Sequence, residues 1–172
     1  MSAPNFRNRI VGHGEEAPDQ LLANPANWRI HPKAQQDALA GVLEEVGWVQ
    51  NVIVNQRTGF LLDGHLRVQV ALRDGVDKIP VTYVELSPTE EALILATFDP
   101  LAAMAGTDQE KLAELLHEVG TGSADVQAML GNLARESGVT APDFAAVDAA
   151  TQPRLDEKKK IRCPACDHEF TA

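Results

Sequence analysis

The stretch Gln50-Asn51-Val52-Ile53-Val54-Asn55-Gln56-Arg57-Thr58-Gly59-Phe60-Leu61-Leu62-Asp63-Gly64-His65-Leu66-Arg67 decides how this chain folds. Val49 to Val54 is a short β-rich run, and Asn55 to Gly59 has the composition of a hairpin turn. Phe60-Leu61-Leu62 then reads as the returning strand. That strand ends at Asp63-Gly64. Leu66, Val70, Ala71 and Leu72 predict a helix over His65–Arg73, so the order is strand, glycine turn, helix N-terminus.

This order carries chemistry. A helix N-terminus leaves backbone N–H groups unpaired and concentrates positive potential, and a glycine before it lets an anion approach the backbone closely. Gly64 holds that place. Arg67 lies about one turn into the helix, where its planar fork can meet an anion with two parallel hydrogen bonds. His65 exchanges a proton near neutral pH, and Asp63 can orient a hydroxyl, take a proton or hold a divalent cation. Against this stands a plainer reading, in which Asp63-Gly64 merely ends a strand and Arg67 is a solvated helix residue.

Working outward, Asn24-Pro25-Ala26-Asn27-Trp28-Arg29-Ile30-His31-Pro32 is an extended, turn-rich loop. Pro32 suits the start of a helix running from Lys33 to Val46, with Leu39, Val42, Leu43 and Val46 on one face and Gly47 as its stop. Ile79 to Leu86 is a third strand. Ser87-Pro88-Thr89-Glu90 is a capping box opening a helix to Phe98, and Thr107-Asp108-Gln109-Glu110 repeats the device. Ser123 caps a further helix carrying Val126, Met129, Leu130 and Leu133. The last two helices are expected to form a small unit packed on the first domain.

The 172 residues suffice for one core domain with an appendage. With 44% hydrophobic, 23% charged and 5% aromatic residues, the composition is that of a water-facing globular protein. No apolar run is long enough for a signal-peptide core or a membrane span, so cytoplasmic residence, with no membrane partner, is the expectation. The net charge of −10 opposes general electrostatic attraction to nucleic acid, but its distribution matters more. From Arg29 to Arg73 five basic residues face four acidic ones, whereas Asp74 to Gln152 holds three basic against fourteen acidic. The acidity sits away from the glycine turn.

The pattern from about Leu21 to Leu86 resembles the ParB/sulfiredoxin family. Asn24-Pro25-Ala26-Asn27-Trp28-Arg29 matches its extended Asn-Pro segment, Leu39 to Gly47 its glycine-ended helix, Gln50-Asn51-Val52-Ile53-Val54 its first strand, and Leu62-Asp63-Gly64-His65-Leu66-Arg67 its Gly-x-x-Arg turn. More narrowly the chain looks like phage and prophage ParB-like nuclease-domain proteins, including domains fused or adjacent to DNA methyltransferases. Sulfiredoxins carry a cysteine directly after the turn glycine, where this chain has His65, so thiol chemistry is excluded. Partition proteins bind CTP through Gly-Glu-Arg-Arg, where this chain has His65 and Leu66 in the middle. The proline usual after Gln50 is Asn51, and no long helix-turn-helix region follows, which argues against a partition clamp.

The resemblance implies an α+β fold: a ParB/sulfiredoxin-like core, a small mixed sheet with helices, over residues 18–100. A helical extension (101–138), a linker (139–160) and a cysteine-containing tail (161–172) are expected to follow. It implies that Gly64, His65 and Arg67 contact phosphate, that Asp63 acts as base or metal ligand, that His65 shares the catalytic role, and that Arg29 and Gln50 line the same pocket. Magnesium is the natural cation for a phosphate held by one carboxylate, and CTP or ATP the natural nucleotides.

Other features have two readings each. Trp28 beside Arg29 could stack on a base, although anchoring its loop to the core is the preferred reading. His31 reads as the end of its loop, and Glu44 and Glu45 as a solvated helix end. Cys163-x-x-Cys166 with His168 resembles the first knuckle of a zinc ribbon. Tetrahedral zinc needs four ligands, so a site requires another group or a second chain in a homo-oligomer, and a half-ribbon that binds nothing is the alternative. The leading expectation is a ParB-like protein of phage DNA metabolism that cuts nucleic acid or binds a nucleotide. The alternatives are a nucleotide-dependent kinase using the same turn, or a non-enzymatic adaptor for a DNA methyltransferase or replication protein.

Overall fold

The computed structural model describes residues 6–142, residue 144, and the backbone of 160–162 and 169–171. Its centre is the predicted hairpin. Strand β2 (Val52–Asn55) pairs antiparallel with β3 (Leu61–Asp63) across the Asn55–Gly59 turn. Helix α2 (His65–Arg73) follows directly, and the chain returns through Gly75 (φ 70°) into β4 (Ile79–Val84), which runs parallel to β2. Parallel neighbours need a crossover, and α2 is part of it. Val52 and Val54 of β2, Ile79 and Val81 of β4, Leu61 of β3, and Val68 and Ala71 of α2 form one buried apolar cluster. The period of two in the strands and of three in the helix meet in that cluster.

A fourth strand precedes the expected start of the core at residue 18. Strand β1 (Ile10–Glu16) pairs antiparallel with the far edge of β4, giving the order β1-β4-β2-β3. Its sequence, Ile-Val-Gly-His-Gly-Glu-Glu, holds two glycines and buries neither face. The strand is defined by backbone pairing to β4, a long-range contact that no local pattern announces. Tyr83 lies beside Gly12 and Gly14 and donates its hydroxyl to Glu16 Oε1 at 2.5 Å.

Helix α1 spans Lys33–Val46 as predicted, with Pro32 as its cap residue rather than its first turn, and Gly47 (φ 85°) ends it. Helix α3 (Pro88–Ala103) opens on the Ser87/Glu90 capping box and runs on through Pro100, a turn beyond the expected end at Phe98. Helices α4 (Gln109–Glu118) and α5 (Ala124–Glu136) follow, the first capped by Asp108 rather than Thr107 and the second by Ser123. Leu116, Ala134 and Phe144 form a second small core.

The helical unit docks on α1 through a carboxylate. Glu45 Oε1 accepts hydrogen bonds from the Thr121 hydroxyl (2.8 Å) and from the backbone N–H of Gly122 (2.8 Å) and Ser123 (2.9 Å). These bonds hold its carboxyl below the usual carboxylate range, the Thr121 bond foremost. Glu45 stays exposed, as its position in the sequence implied, and it also tethers α1 to the start of α5. Gly41 allows the close approach, since a Cβ there would sit 2.3 Å from Ser123 Oγ. Strands β5 (Lys160–Arg162) and β6 (Glu169–Thr171) pair antiparallel. No described helix is long and apolar enough to cross a membrane.

Candidate functional site

Gly64 turns the end of β3 into α2 with φ 92° and ψ 17°, the left-handed region that favours glycine. A Cβ there would also meet Val52 Cγ1 at 2.6 Å and Val52 Cβ at 2.9 Å. Conformation and space both demand glycine. The first intrahelical bond of α2 runs from Val68 N–H to Gly64 C=O (2.9 Å), and no side chain caps the helix. The N–H groups of His65, Leu66 and Arg67 precede that bond and form the donor-rich end of the helix.

The turn lines a cleft of about 200 Å³ with the Asn27–His31 loop on one side and Leu95, Phe98 and Asp99 of α3 on another. Asp63, Gly64, His65, Arg67 and Arg29 all contribute to its wall. Gln50 does not. It instead accepts a hydrogen bond from Arg67 Nη1 (2.9 Å), outside the cleft wall.

Arg67 is folded back on its own neighbourhood. Nη2 donates to Asp63 Oδ2 at 2.5 Å and to Asn51 C=O at 3.4 Å, while Nε is buried with no hydrogen-bond partner among the described residues. Asp63 is therefore tied to the arginine four residues on, an i,i+4 ion pair across the glycine turn. Arg29 is matched in the same way, its Nε paired with Asp99 of α3, and its guanidinium carbon lies 5.5 Å from the centre of the Trp28 ring. Each arginine of the cleft thus has a carboxylate partner.

No protein-family model matches the sequence, and no curated protein is significantly similar to it. Among solved structures, the C-terminally truncated chromosome-partitioning protein ParB from Caulobacter crescentus, complexed with CTP-gamma-S, aligns with 20% identity and a TM-score of 0.50. The alignment covers 76% of this chain and 73% of that one. A Pnob8-like ParB-N domain aligns at 14% identity and a TM-score of 0.46, over 78% of this chain and 67% of its own. The fold is ParB-like.

Within this ParB-like frame, His65 opens α2 as a buried residue that still contributes to the cleft wall. Its Nε2 accepts a hydrogen bond from Asn24 N–H (3.3 Å), which leaves the ring proton on Nδ1. Burial pushes its pKa below the usual histidine value, a shift that Asp63 partly offsets and His31 reinforces. The neutral form is the one that folding favours. The unfolded chain binds a proton on this ring at a pH where the folded chain does not, so its contribution to stability is complete above about pH 6.5 and falls as pH drops towards the lowered value. Urea midpoints are expected to decline over that window in the native chain, and to decline less in His65→Gln. An unchanged slope in the variant would assign the acid sensitivity elsewhere.

The support behind the cleft was not foreseen. Glu91, on α3, is buried and accepts from Asn24 Nδ2 (2.9 Å), Asn55 Nδ2 (2.6 Å) and the Thr58 hydroxyl (2.6 Å). Burial alone would raise its pKa, but the three hydrogen bonds outweigh burial and hold the carboxyl below its ordinary value. Asn55, fully buried, also pairs with both backbone groups of Leu86. Asn24 therefore joins Glu91 to His65, and the hairpin, the Asn-Pro loop and α3 converge on one carboxylate. The sequence offered a faint signal, a second glutamate directly after the capping one. Cys163, Cys166 and His168 lie outside the described residues, and among the described residues no three His, Cys, Asp or Glu side chains gather to hold a metal.

Proposed function

We propose that the cleft at the start of α2 binds the phosphates of a nucleotide, in a ParB-like protein of phage or prophage DNA metabolism. The observation that carries this is Gly64, held by positive φ and by Val52 at the uncapped, donor-rich end of α2, with Arg29, His65 and Arg67 in the same wall. The ParB of C. crescentus, whose fold it shares, was solved with CTP-gamma-S, which makes CTP the first nucleotide to test and ATP the second.

The pairing of charges says how a phosphate enters. Because Asp63 and Asp99 already partner Arg67 and Arg29, the cleft has little surplus positive charge for a bare polyphosphate. A magnesium-chelated nucleotide brings less charge, and its phosphates compete with Asp63 for the fork of Arg67, whose unpaired Nε–H leaves its present contacts incomplete. When bound, the cation supplies neutralisation of the phosphates. Asp63, committed to Arg67, serves better to orient that arginine than to activate a nucleophile, which favours binding over cleavage.

Calorimetry with CTP, ATP and ADP in the presence of magnesium tests the reading. At least one nucleotide is expected to bind, and Arg67→Ala to weaken it by about tenfold or more, the worth of a charge-assisted hydrogen bond. The absence of binding by all three would overturn it. Metal-dependent cleavage of a plasmid, abolished by Asp63→Ala, would replace it with the nuclease reading.

A further inference from the structure

We infer that Trp28 is the stacking platform for the base of the nucleotide, an inference that rests on the phosphate reading of the neighbouring cleft. An indole that anchored its loop in the core would be sunk among apolar side chains, yet Trp28 is 59% exposed. It is nevertheless fixed in place. Its Nε1–H donates to the Leu95 carbonyl of α3 (3.3 Å), which satisfies the ring's one polar atom, and the guanidinium of Arg29 stands over the ring.

A second depression, of about 350 Å³, is lined by Trp28, Arg29, Ile30, His31 and Gln35. Arg29, His31 and Gln35 also line the phosphate cleft, so the two hollows share a wall and form one continuous surface. The chemistry divides along it. The end at Gly64 offers backbone N–H groups and cations suited to phosphate, while the end at Trp28 and Ile30 offers apolar area suited to a flat ring. A nucleoside polyphosphate has both halves in that order. Since the indole N–H is already bonded, the platform presents a face rather than a hydrogen-bond code, and purines and pyrimidines are both accepted.

The 172-residue chain should be titrated calorimetrically with ATP, CTP and inorganic tripolyphosphate, each with magnesium, alongside Trp28→Ala and Trp28→Phe. The Trp28→Ala change is expected to weaken both nucleotides about tenfold while leaving tripolyphosphate unchanged, and Trp28→Phe to restore most of the loss. Trp48, left in both variants, reports by its fluorescence that the core is intact. Equal losses for nucleotides and tripolyphosphate would make Trp28 a support for the loop and overturn the inference. So would nucleotides that bind the native chain no more tightly than tripolyphosphate, a result that leaves the phosphate reading standing. If the native chain binds none of the three, both readings fall together.

Discussion

Replacing Glu91 with alanine is expected to lower the unfolding free energy by about 3–5 kcal/mol, since three donors lose their shared acceptor at about 1–3 kcal/mol each, partly relieved by relaxation. Its carboxylate is the common acceptor for Asn24, Asn55 and Thr58, and each of those donors would be left facing an apolar gap. Glu91→Gln keeps the volume but points an amide N–H₂ at a donor, so it should cost less, about 1–3 kcal/mol. Urea denaturation followed by circular dichroism separates these values. A loss under about 1 kcal/mol for the alanine variant would mean that water replaces the carboxylate, and that the network does not hold the fold. The effect should reach the cleft as well, because Asn24 is also the partner of His65. The sign with pH is opposite in character to a repulsive buried charge: with its pKa lowered on folding, Glu91 stabilises the chain above its ordinary value near 4.5, and that contribution is lost as pH falls below it.

Gly64→Ala is expected to cost about 2–5 kcal/mol and to abolish nucleotide binding. Roughly 1–2 kcal/mol comes from placing a Cβ in the left-handed region, and roughly 1–3 from forcing it against a core side chain. The colliding atoms belong to Val52, which is completely buried at the centre of the sheet and has nowhere to move. Gly75→Ala supplies the control. It has a similar φ of 70° but nothing within 4 Å of the added carbon, so it should lose only the backbone part, about 1–2 kcal/mol. If the two variants lose equal stability, the close approach to Val52 has no energetic weight. If Gly64→Ala folds and binds nucleotide normally, the helix N-terminus is not where the phosphates sit.

How much was legible in the sequence depended on whether the signal was local. The helix from Lys33 to Val46 and that from His65 to Arg73 appear within the predicted bounds, because apolar spacing, a proline at one start and glycines at the stops specify them within the segment itself. The hairpin around Asn55–Gly59 was equally local. The strand Ile10–Glu16 was not, since its two glycines and exposed faces carry no period, and only hydrogen bonds to Ile79–Val84 make it a strand. Glu45 and Glu91 show the same division in side chains. Both look like ordinary helix-surface acids in one dimension, and each becomes a hub because segments from 33 to 78 residues away in the chain deliver donors to it. Trp28 divides differently: the preferred reading had it anchor its loop to the core, and the structure bonds it to α3 but leaves the residue exposed.

By itself, then, the sequence determined that a glycine stands between a strand and a helix, with an acid before it and a histidine and an arginine after it. These follow from propensity and spacing, which act over a few residues. Only the tertiary structure decided what those groups face. It turned Arg67 onto Asp63 and Gln50, buried His65 under Asn24, and brought Arg29 and Asp99 to the opposite wall. The reason is physical: hydrogen bonds and ion pairs extend about 3 Å, so their partners are fixed only after packing has brought distant segments within that reach.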